Sequence, residues 1–171
     1  MKRIASLLGA LALGAALQAQ VPDLALSDLS GRRVEFRDLL ADGPLLVSFW
    51  ATWCHPCQEE MKALQPLHEA YGGLGLTVAA VSIDDAKTTG KVKALVKGKR
   101  YTFTVLLDPE MAAMKAFGLL EVPGVFLLAR DGTRLYEHSG YKPGDEIALE
   151  QAVKAALRPS QPACDSTGAG R

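Results

Sequence analysis

Residues 45–57 read Leu-Leu-Val-Ser-Phe-Trp-Ala-Thr-Trp-Cys-His-Pro-Cys, and this stretch decides the fold of the chain. Its first part is a nearly continuous apolar run, which is typical of a parallel strand covered on both faces. The residues that follow, from Gln58 to Tyr71, carry apolar side chains at helical spacing. The sequence therefore predicts that Cys54 and Cys57 lie where a buried strand turns into a helix.

This position favours a reactive thiol at Cys54. The first turn of a helix has unpaired N–H groups and the positive end of the helix dipole. Both stabilise a thiolate, so we expect the pKa of Cys54 to lie below the value of about 8.5 for free cysteine. Cys57 lies one turn further and can close a small disulfide ring, and Pro56 suits the first helical turn because it needs no N–H partner there. The pattern predicts thiol–disulfide exchange.

A zinc site is the alternative reading of two cysteines at this spacing. Such a site needs a second pair of ligands, and the one further cysteine is Cys164, in a tail rich in Pro, Ser and Gly. The spacing therefore favours a redox pair. We expect no metal and no cofactor beyond the redox-active disulfide, and we interpret Cys164 as a stray thiol rather than a shuttle.

Two acidic residues follow the cysteines, but only one shares their face of the helix. At about 100° per residue, Glu60 lies about 60° from Cys57, whereas Glu59 points to the opposite side. Glu60 is therefore the candidate for relaying the proton of the buried sulfur. Ser48, the one polar residue of the strand, cannot titrate near neutral pH, and we interpret it as a hydrogen-bonded core hydroxyl.

The segment Phe-Trp-Ala-Thr-Trp-Cys-His-Pro-Cys, residues 49–57, resembles the thioredoxin superfamily. It is most similar to the exported disulfide reductases grouped with TlpA, ResA and the CcmG-type cytochrome c maturation thioredoxins. The resemblance covers roughly residues 21–157 and implies a thiol-disulfide oxidoreductase. It also implies a glutamate three residues after the second cysteine, which agrees with Glu60.

The resemblance further implies a substrate groove. The superfamily places a cis-proline before its penultimate strand, facing the first cysteine, and this corresponds to Pro123. Val122 would offer its backbone to an extended substrate segment. Trp53 would line the approach beside the exposed dipeptide His55-Pro56, and a protonated His55 would further stabilise the thiolate.

The residue after the predicted cis-proline and the end of the second apolar strand each allow a further prediction. Gly124 stands where a threonine commonly follows the cis-proline in this superfamily, and we expect the groove to be wider there. Asp84 and Asp85 end the second apolar strand, and we interpret them as a solvated strand end rather than as metal ligands.

The order of elements predicts an α/β protein. A βαβ unit, a βα unit, a hairpin and a closing helix over residues 145–157 follow an N-terminal β-hairpin. Ile147 and Leu149 are expected to face inward from the closing helix. The pattern matches a thioredoxin-like three-layer α/β/α sandwich with a mixed central sheet.

The N-terminus has the features of an export signal. Lys2 and Arg3 precede an apolar run, and Ala19 offers a cleavage site, which is the order of a secretory signal peptide. We therefore divide the chain into a signal peptide (1–19), a thioredoxin-like domain (20–158) and a disordered tail (159–171). We expect the protein in the periplasm, with an uncleaved membrane anchor as the alternative.

Charge and resemblance together limit the partners. The formal net charge is zero, which argues against a nucleic-acid binder. The resemblance implies disulfide-bearing exported proteins as substrates, such as apocytochrome c or copper-site proteins, and a membrane thiol transporter as electron donor. The protein is expected to be a monomer.

Three other functions are alternatives for a dithiol of this kind. A DsbA-like oxidant would normally carry a helical insertion for which this chain is too short. A peroxidase of the peroxiredoxin type expects a threonine where Ala51 stands. A copper metallochaperone would use Cys54, Cys57 and a histidine, for which His138 is the candidate in the later part of the domain. The His55-Pro56 dipeptide does not indicate the redox potential, but the resemblance to the exported reductases favours reduction of substrate disulfides.

Overall fold

The computed structural model describes residues 23–158. The predicted signal peptide, the first residues of the predicted domain, the predicted tail and Cys164 lie outside the described residues.

A seven-stranded sheet forms the centre of the fold, in the order β2-β1-β5-β4-β3-β6-β7. The strands β3, β4 and β5 run parallel, whereas the pairs β1–β2, β1–β5, β3–β6 and β6–β7 are antiparallel. The mixed sheet and the N-terminal hairpin are therefore as predicted. The strands are β1 (Ala25–Asp28), β2 (Arg33–Glu35), β3 (Leu45–Trp50), β4 (Thr77–Ser82), β5 (Thr104–Leu107), β6 (Gly124–Leu128) and β7 (Arg134–Ser139).

Helices cover both faces of the sheet. Their bounds are α1 (His55–Tyr71), α2 (Thr89–Lys99), α3 (Ala112–Ala116) and α4 (Asp145–Ala156). Side chains of α1, α2 and α4 form one apolar layer with the sheet, and those of α3 pack in a second layer with Phe36 and Leu40. This arrangement is the predicted three-layer α/β/α sandwich.

The central strand β3 positions the site. It lies between β4 and β6, and all six of its residues are buried. Because side chains alternate along a strand, Leu46 and Trp50 face the layer that contains α1, while Val47 and Phe49 face the other. Four residues, 51–54, connect the carboxyl end of β3 to the beginning of α1.

The closing helix differs from its prediction at one position. Leu149 and Val153 are buried, but Ile147 is 60% exposed. Leu149 and Val153 are four residues apart and share a helix face, whereas Ile147 lies about 200° around the helix from Leu149. The inward placement of Ile147 was wrong for this reason. No helix within residues 23–158 combines the length and apolar character needed to cross a membrane.

Candidate active site

Cys54 and Cys57 form a disulfide at the beginning of α1. Cys54 is the N-cap of the helix, and its Sγ accepts a 3.2 Å hydrogen bond from the Cys57 N–H. Pro56 occupies the first turn. Cys57 is fully buried, whereas Cys54 is 6% exposed. Cys54 is therefore the sulfur that a partner can reach.

The loop before β6 faces this sulfur. The Val122–Pro123 peptide bond is cis, and the carbonyl oxygen of Val122 lies 3.8 Å from Cys54 Sγ. A disulfide sulfur carries no proton, so this approach is a contact rather than a hydrogen bond. The Pro123 carbonyl accepts a 2.8 Å hydrogen bond from the Gly140 N–H, which ties the loop to the end of β7.

Gly124 follows the cis-proline, but the groove is not widened there. A Cβ atom at position 124 would collide with the side chain of Leu119. Leu119 is buried and already fills the space that a larger residue would occupy. The expected widening is therefore wrong, because Leu119 fills the space beside Gly124, and a Cβ at this position would require the Leu119 side chain to shift.

Exposed side chains surround the disulfide. Trp53, adjacent to Cys54, is 71% exposed, and His55 and Pro56 are exposed on its other side. Leu120 is 95% exposed and lies two residues before Val122. The exposure of Leu120 is not predictable from the sequence, because a leucine that follows Leu119 in a loop shows no periodicity.

Glu60 is a buried carboxyl group on α1. It is 2% exposed, and its Oε2 accepts a 2.6 Å hydrogen bond from the hydroxyl of Ser48. Burial raises the pKa of Glu60 to about 7; the Ser48 hydrogen bond lowers it, and the charge of Asp145 raises it. Glu59, in contrast, is partly exposed and forms a 2.6 Å ion pair with Lys62. The two glutamates therefore occupy the different environments that helical geometry indicates.

A small cleft adjoins Glu60 between α1, β7 and α4. Its walls include the 3.2 Å contact of His138 Nε2 with Asp145 Oδ2, and the hydrogen bond that Tyr141 donates to Glu146 at 2.9 Å. The cleft therefore brings titratable groups from two other parts of the chain alongside the buried carboxyl. The lining residues are Glu60, Ala63, Leu64, Val125, Tyr136, His138, Tyr141, Asp145, Glu146 and Leu149.

Asp84 does not lie at a solvated strand end. It is 4% exposed, and its carboxylate accepts hydrogen bonds from Ser82 Oγ at 2.8 Å and from Thr52. The expectation failed because β4 is parallel to β3 and ends at the same edge of the sheet, directly beside the segment that leads to Cys54. That shared edge is the signal from which the burial of Asp84 was predictable.

The thioredoxin-like sheet, with a Cys-x-x-Cys disulfide capping a helix and a cis-proline loop beside it, defines the class of thiol-disulfide oxidoreductases. The chain belongs to the AhpC/TSA family, whose model matches residues 17–134.

Individual relatives agree with this class. The chain is 31% identical over 135 residues to the thiol-disulfide oxidoreductase ResA of Bacillus thuringiensis subsp. konkukian, covering 79% of this chain and 75% of that protein. It is 29% identical over 114 residues to the ResA of Bacillus subtilis, covering 67% and 62%. A Chlorobium tepidum protein assigned as a thiol:disulfide interchange protein DsbE superposes with a TM-score of 0.75 and 32% identity, over 82% of this chain and 96% of that one. The chain is a thiol-disulfide oxidoreductase, as predicted.

Proposed function

We propose that this oxidoreductase reduces disulfides of exported proteins through Cys54 and Cys57. The observation that carries the proposal is the hydrogen bond from the Cys57 N–H to Cys54 Sγ at the first turn of α1. After reduction, the same N–H would contact a thiolate at Cys54, and a hydrogen bond to a charged sulfur favours its ionised form. Cys54 then supplies the nucleophile, and the buried Cys57 supplies the resolving thiol.

The reaction moves two electrons from the protein dithiol to the substrate disulfide. The Cys54 thiolate attacks one substrate sulfur, the substrate S–S bond breaks, and the other substrate sulfur leaves as a thiolate. Cys57 then loses its proton and attacks Cys54, which releases the second substrate sulfur as a thiolate. The protein ends with the Cys54–Cys57 disulfide, the form that the structure contains.

Glu60 is the proposed acceptor of the Cys57 proton. Both side chains are buried, and they project from α1 one turn apart. A carboxyl group with a pKa near 7 is partly ionised at neutral pH and can both take up and release a proton. The polar walls of the adjoining cleft, His138 and Asp145 among them, support transfer of that proton onward to water.

The substrate binds, on this proposal, as an extended segment beside Val122 and Pro123. Pairing with the main chain beside Cys54 accepts many substrate sequences, because it does not depend on their side chains. Trp53 is exposed next to Cys54, and Leu120 is exposed two residues before Val122, whose carbonyl oxygen contacts Cys54 Sγ. Both would offer apolar contact to residues that flank the substrate cysteine.

The dipeptide between the cysteines does not decide the direction of electron flow. A protonated His55 would stabilise the Cys54 thiolate and favour oxidation of substrates, whereas Pro56 is shared with reducing members of the resembled group. Similarity to the exported reductases supports reduction as the physiological direction. No bound metal or cofactor is needed, because the dithiol itself carries the electrons.

The proposed setting is the periplasm, after export by residues 1–19. After each turnover in an oxidising compartment, the Cys54–Cys57 disulfide must be reduced again, and a membrane thiol transporter is the proposed electron donor. The proposed substrates are haem-site cysteines of apocytochrome c or cysteines of copper sites. The protein is proposed to act as a monomer without nucleic-acid partners.

A trapping experiment tests this function. In a Cys164→Ser background, which removes the third cysteine, Cys57→Ala should accumulate mixed disulfides with substrate proteins that mass spectrometry can identify. Cys54→Ala, the matched control, keeps one buried thiol and should trap none. Equal trapping by both variants, or by neither, would contradict the proposal.

A second measurement distinguishes a disulfide reductase from a copper metallochaperone. The reduced protein should reduce insulin disulfides, and Cys54→Ala should not. A metallochaperone would instead bind copper(I) tightly in competition with a chelator and reduce insulin slowly.

A further inference from the structure

Asp84 contacts the segment 51–54, which connects β3 to α1 and ends at Cys54, through hydrogen bonds and not through an ion pair. Its Oδ2 accepts from the Thr52 N–H at 2.9 Å and from Ser82 Oγ at 2.8 Å, and its Oδ1 accepts from the Thr52 hydroxyl at 2.5 Å. Within residues 23–158, no Lys, Arg or His forms an ion pair with it. A buried carboxylate in this position is costly unless its hydrogen bonds are retained.

Thr52 is held by hydrogen bonds both to Asp84 and to a side chain of α1. Its N–H and hydroxyl bind Asp84, and its carbonyl oxygen accepts a 2.8 Å hydrogen bond from Gln58 Nε2 on α1. Thr52 stands two residues before Cys54, whose own N–H donates to the Ala51 carbonyl at 3.2 Å. The N–H, the hydroxyl and the carbonyl oxygen of Thr52 therefore all take part in hydrogen bonds.

We propose that Asp84 is a positioning residue of the redox centre, which holds Thr52 and thereby fixes Cys54 beside Cys57. By this means it sets how readily the disulfide is reduced. The inference deepens the proposed function, because it rests on exchange at these two cysteines.

The physical reason is effective concentration. When the loop is anchored, the two thiols of the reduced protein already lie close together, and closing the disulfide costs little conformational entropy. When the anchor is lost, the loop that carries Cys54 gains freedom in the dithiol form but not in the disulfide form. The disulfide becomes the less favoured state, and a given concentration of glutathione reduces more of it.

The test is to measure the redox equilibrium of the protein with glutathione. In this reaction two molecules of glutathione reduce the protein disulfide to the dithiol and form one glutathione disulfide, and the equilibrium constant is defined in that direction. We expect Asp84→Asn and Thr52→Val to raise this equilibrium constant about three- to tenfold, the equivalent of one hydrogen bond. Thr52→Ser keeps the hydroxyl and should behave like the parent protein. Thiol alkylation followed by mass determination measures the reduced fraction directly.

Asp108 provides the matched control. It is also a buried aspartate that directly follows a parallel strand, but it accepts from the Ala112 and Met114 N–H groups at 2.8 and 3.0 Å. Asp108→Asn should lower the melting temperature and leave the redox equilibrium unchanged.

Three results would each overturn the role of Asp84. These are an unchanged equilibrium constant in Thr52→Val, an equal shift in Asp108→Asn, and a Thr52→Ser variant that shifts as much as Thr52→Val. Thr52→Val decides the matter if Asp84→Asn fails to fold. A parent protein that does not interconvert with glutathione at all would instead contradict the proposed function.

Discussion

The hydroxyl of Ser48 donates a 2.6 Å hydrogen bond to the carboxylate of Glu60 inside the protein core. Ser48 lies on β3 and Glu60 on α1, so the bond ties the central strand to the helix that carries Cys57. Burial raises the pKa of Glu60, and this hydrogen bond opposes the rise by stabilising the charged form. The helix therefore supplies the titratable carboxyl group, and the hydroxyl on the strand lowers its pKa.

Replacing Glu60 by Gln should remove the pH dependence of the resolving step. In the parent protein, we expect the rate at which Cys57 resolves a mixed disulfide at Cys54 to rise through pH 7, as Glu60 ionises. Without this base, the step should be about tenfold or more slower at pH 8. Stopped-flow release of a reporter thiol between roughly pH 6 and 9 measures it.

Glu59→Gln is the control for this variant. Glu59 precedes Glu60 in sequence but pairs with Lys62 at the surface, so its loss should leave the pH profile intact. A Glu60→Gln profile that coincides with the parent profile would remove Glu60 from the mechanism.

Replacing Ser48 by Ala should move the same inflection to higher pH. The variant leaves the buried carboxylate without its hydroxyl donor, which disfavours the charged form, and the shift should be about one pH unit. The rate profile of the resolving step reports it. An inflection that stays in place or moves to lower pH would show that Ser48 does not tune Glu60.

Glu60 should also make the oxidised protein less stable as the pH rises. Its pKa is raised from 4.5 to about 7 in the folded protein, so the folded state binds the proton more tightly than the unfolded chain does. The stabilisation is complete below pH 4.5 and is lost as the pH rises through 7, a change of about 3 kcal/mol.

Urea unfolding of the parent protein and of Glu60→Gln at several pH values tests this linkage. The variant should gain stability relative to the parent as the pH rises from 4.5 to above 7. A constant difference between the two across this range would show that the carboxyl group titrates normally.

Replacing Leu120 by Ser should weaken substrate binding without altering the dithiol. Leu120 is almost fully exposed two residues before Val122, whose carbonyl contacts Cys54, and loss of its apolar side chain should raise KM about three- to tenfold at nearly constant kcat. Reduction of a disulfide-bonded peptide with apolar flanking residues provides the assay. Leu74→Ser is the control, since Leu74 is exposed beyond the far end of α1. Equal KM values for the two variants would exclude Leu120 from the substrate groove.

Periodicity along the chain is sufficient to predict the local chemistry of the site. The place of the two cysteines between β3 and α1, and the inward face of Glu60, follow from strand and helix periodicity over a few residues. The order of elements, with its alternation of strands and helices, was also sufficient for the three-layer fold. These features depend on neighbours in the chain, whose geometry is set by the covalent backbone.

The contacts that bring distant segments to the disulfide depend on how the strands pack together in the folded protein. Val122 reaches Cys54 across 68 residues, and Asp84 reaches Thr52 across 32. Leu119 fills the space beside Gly124, where the departure from the threonine common in the superfamily indicates a wider groove. Such contacts depend on which strands are adjacent and in what register, and a one-residue change of register would place each side chain on the opposite face of the sheet.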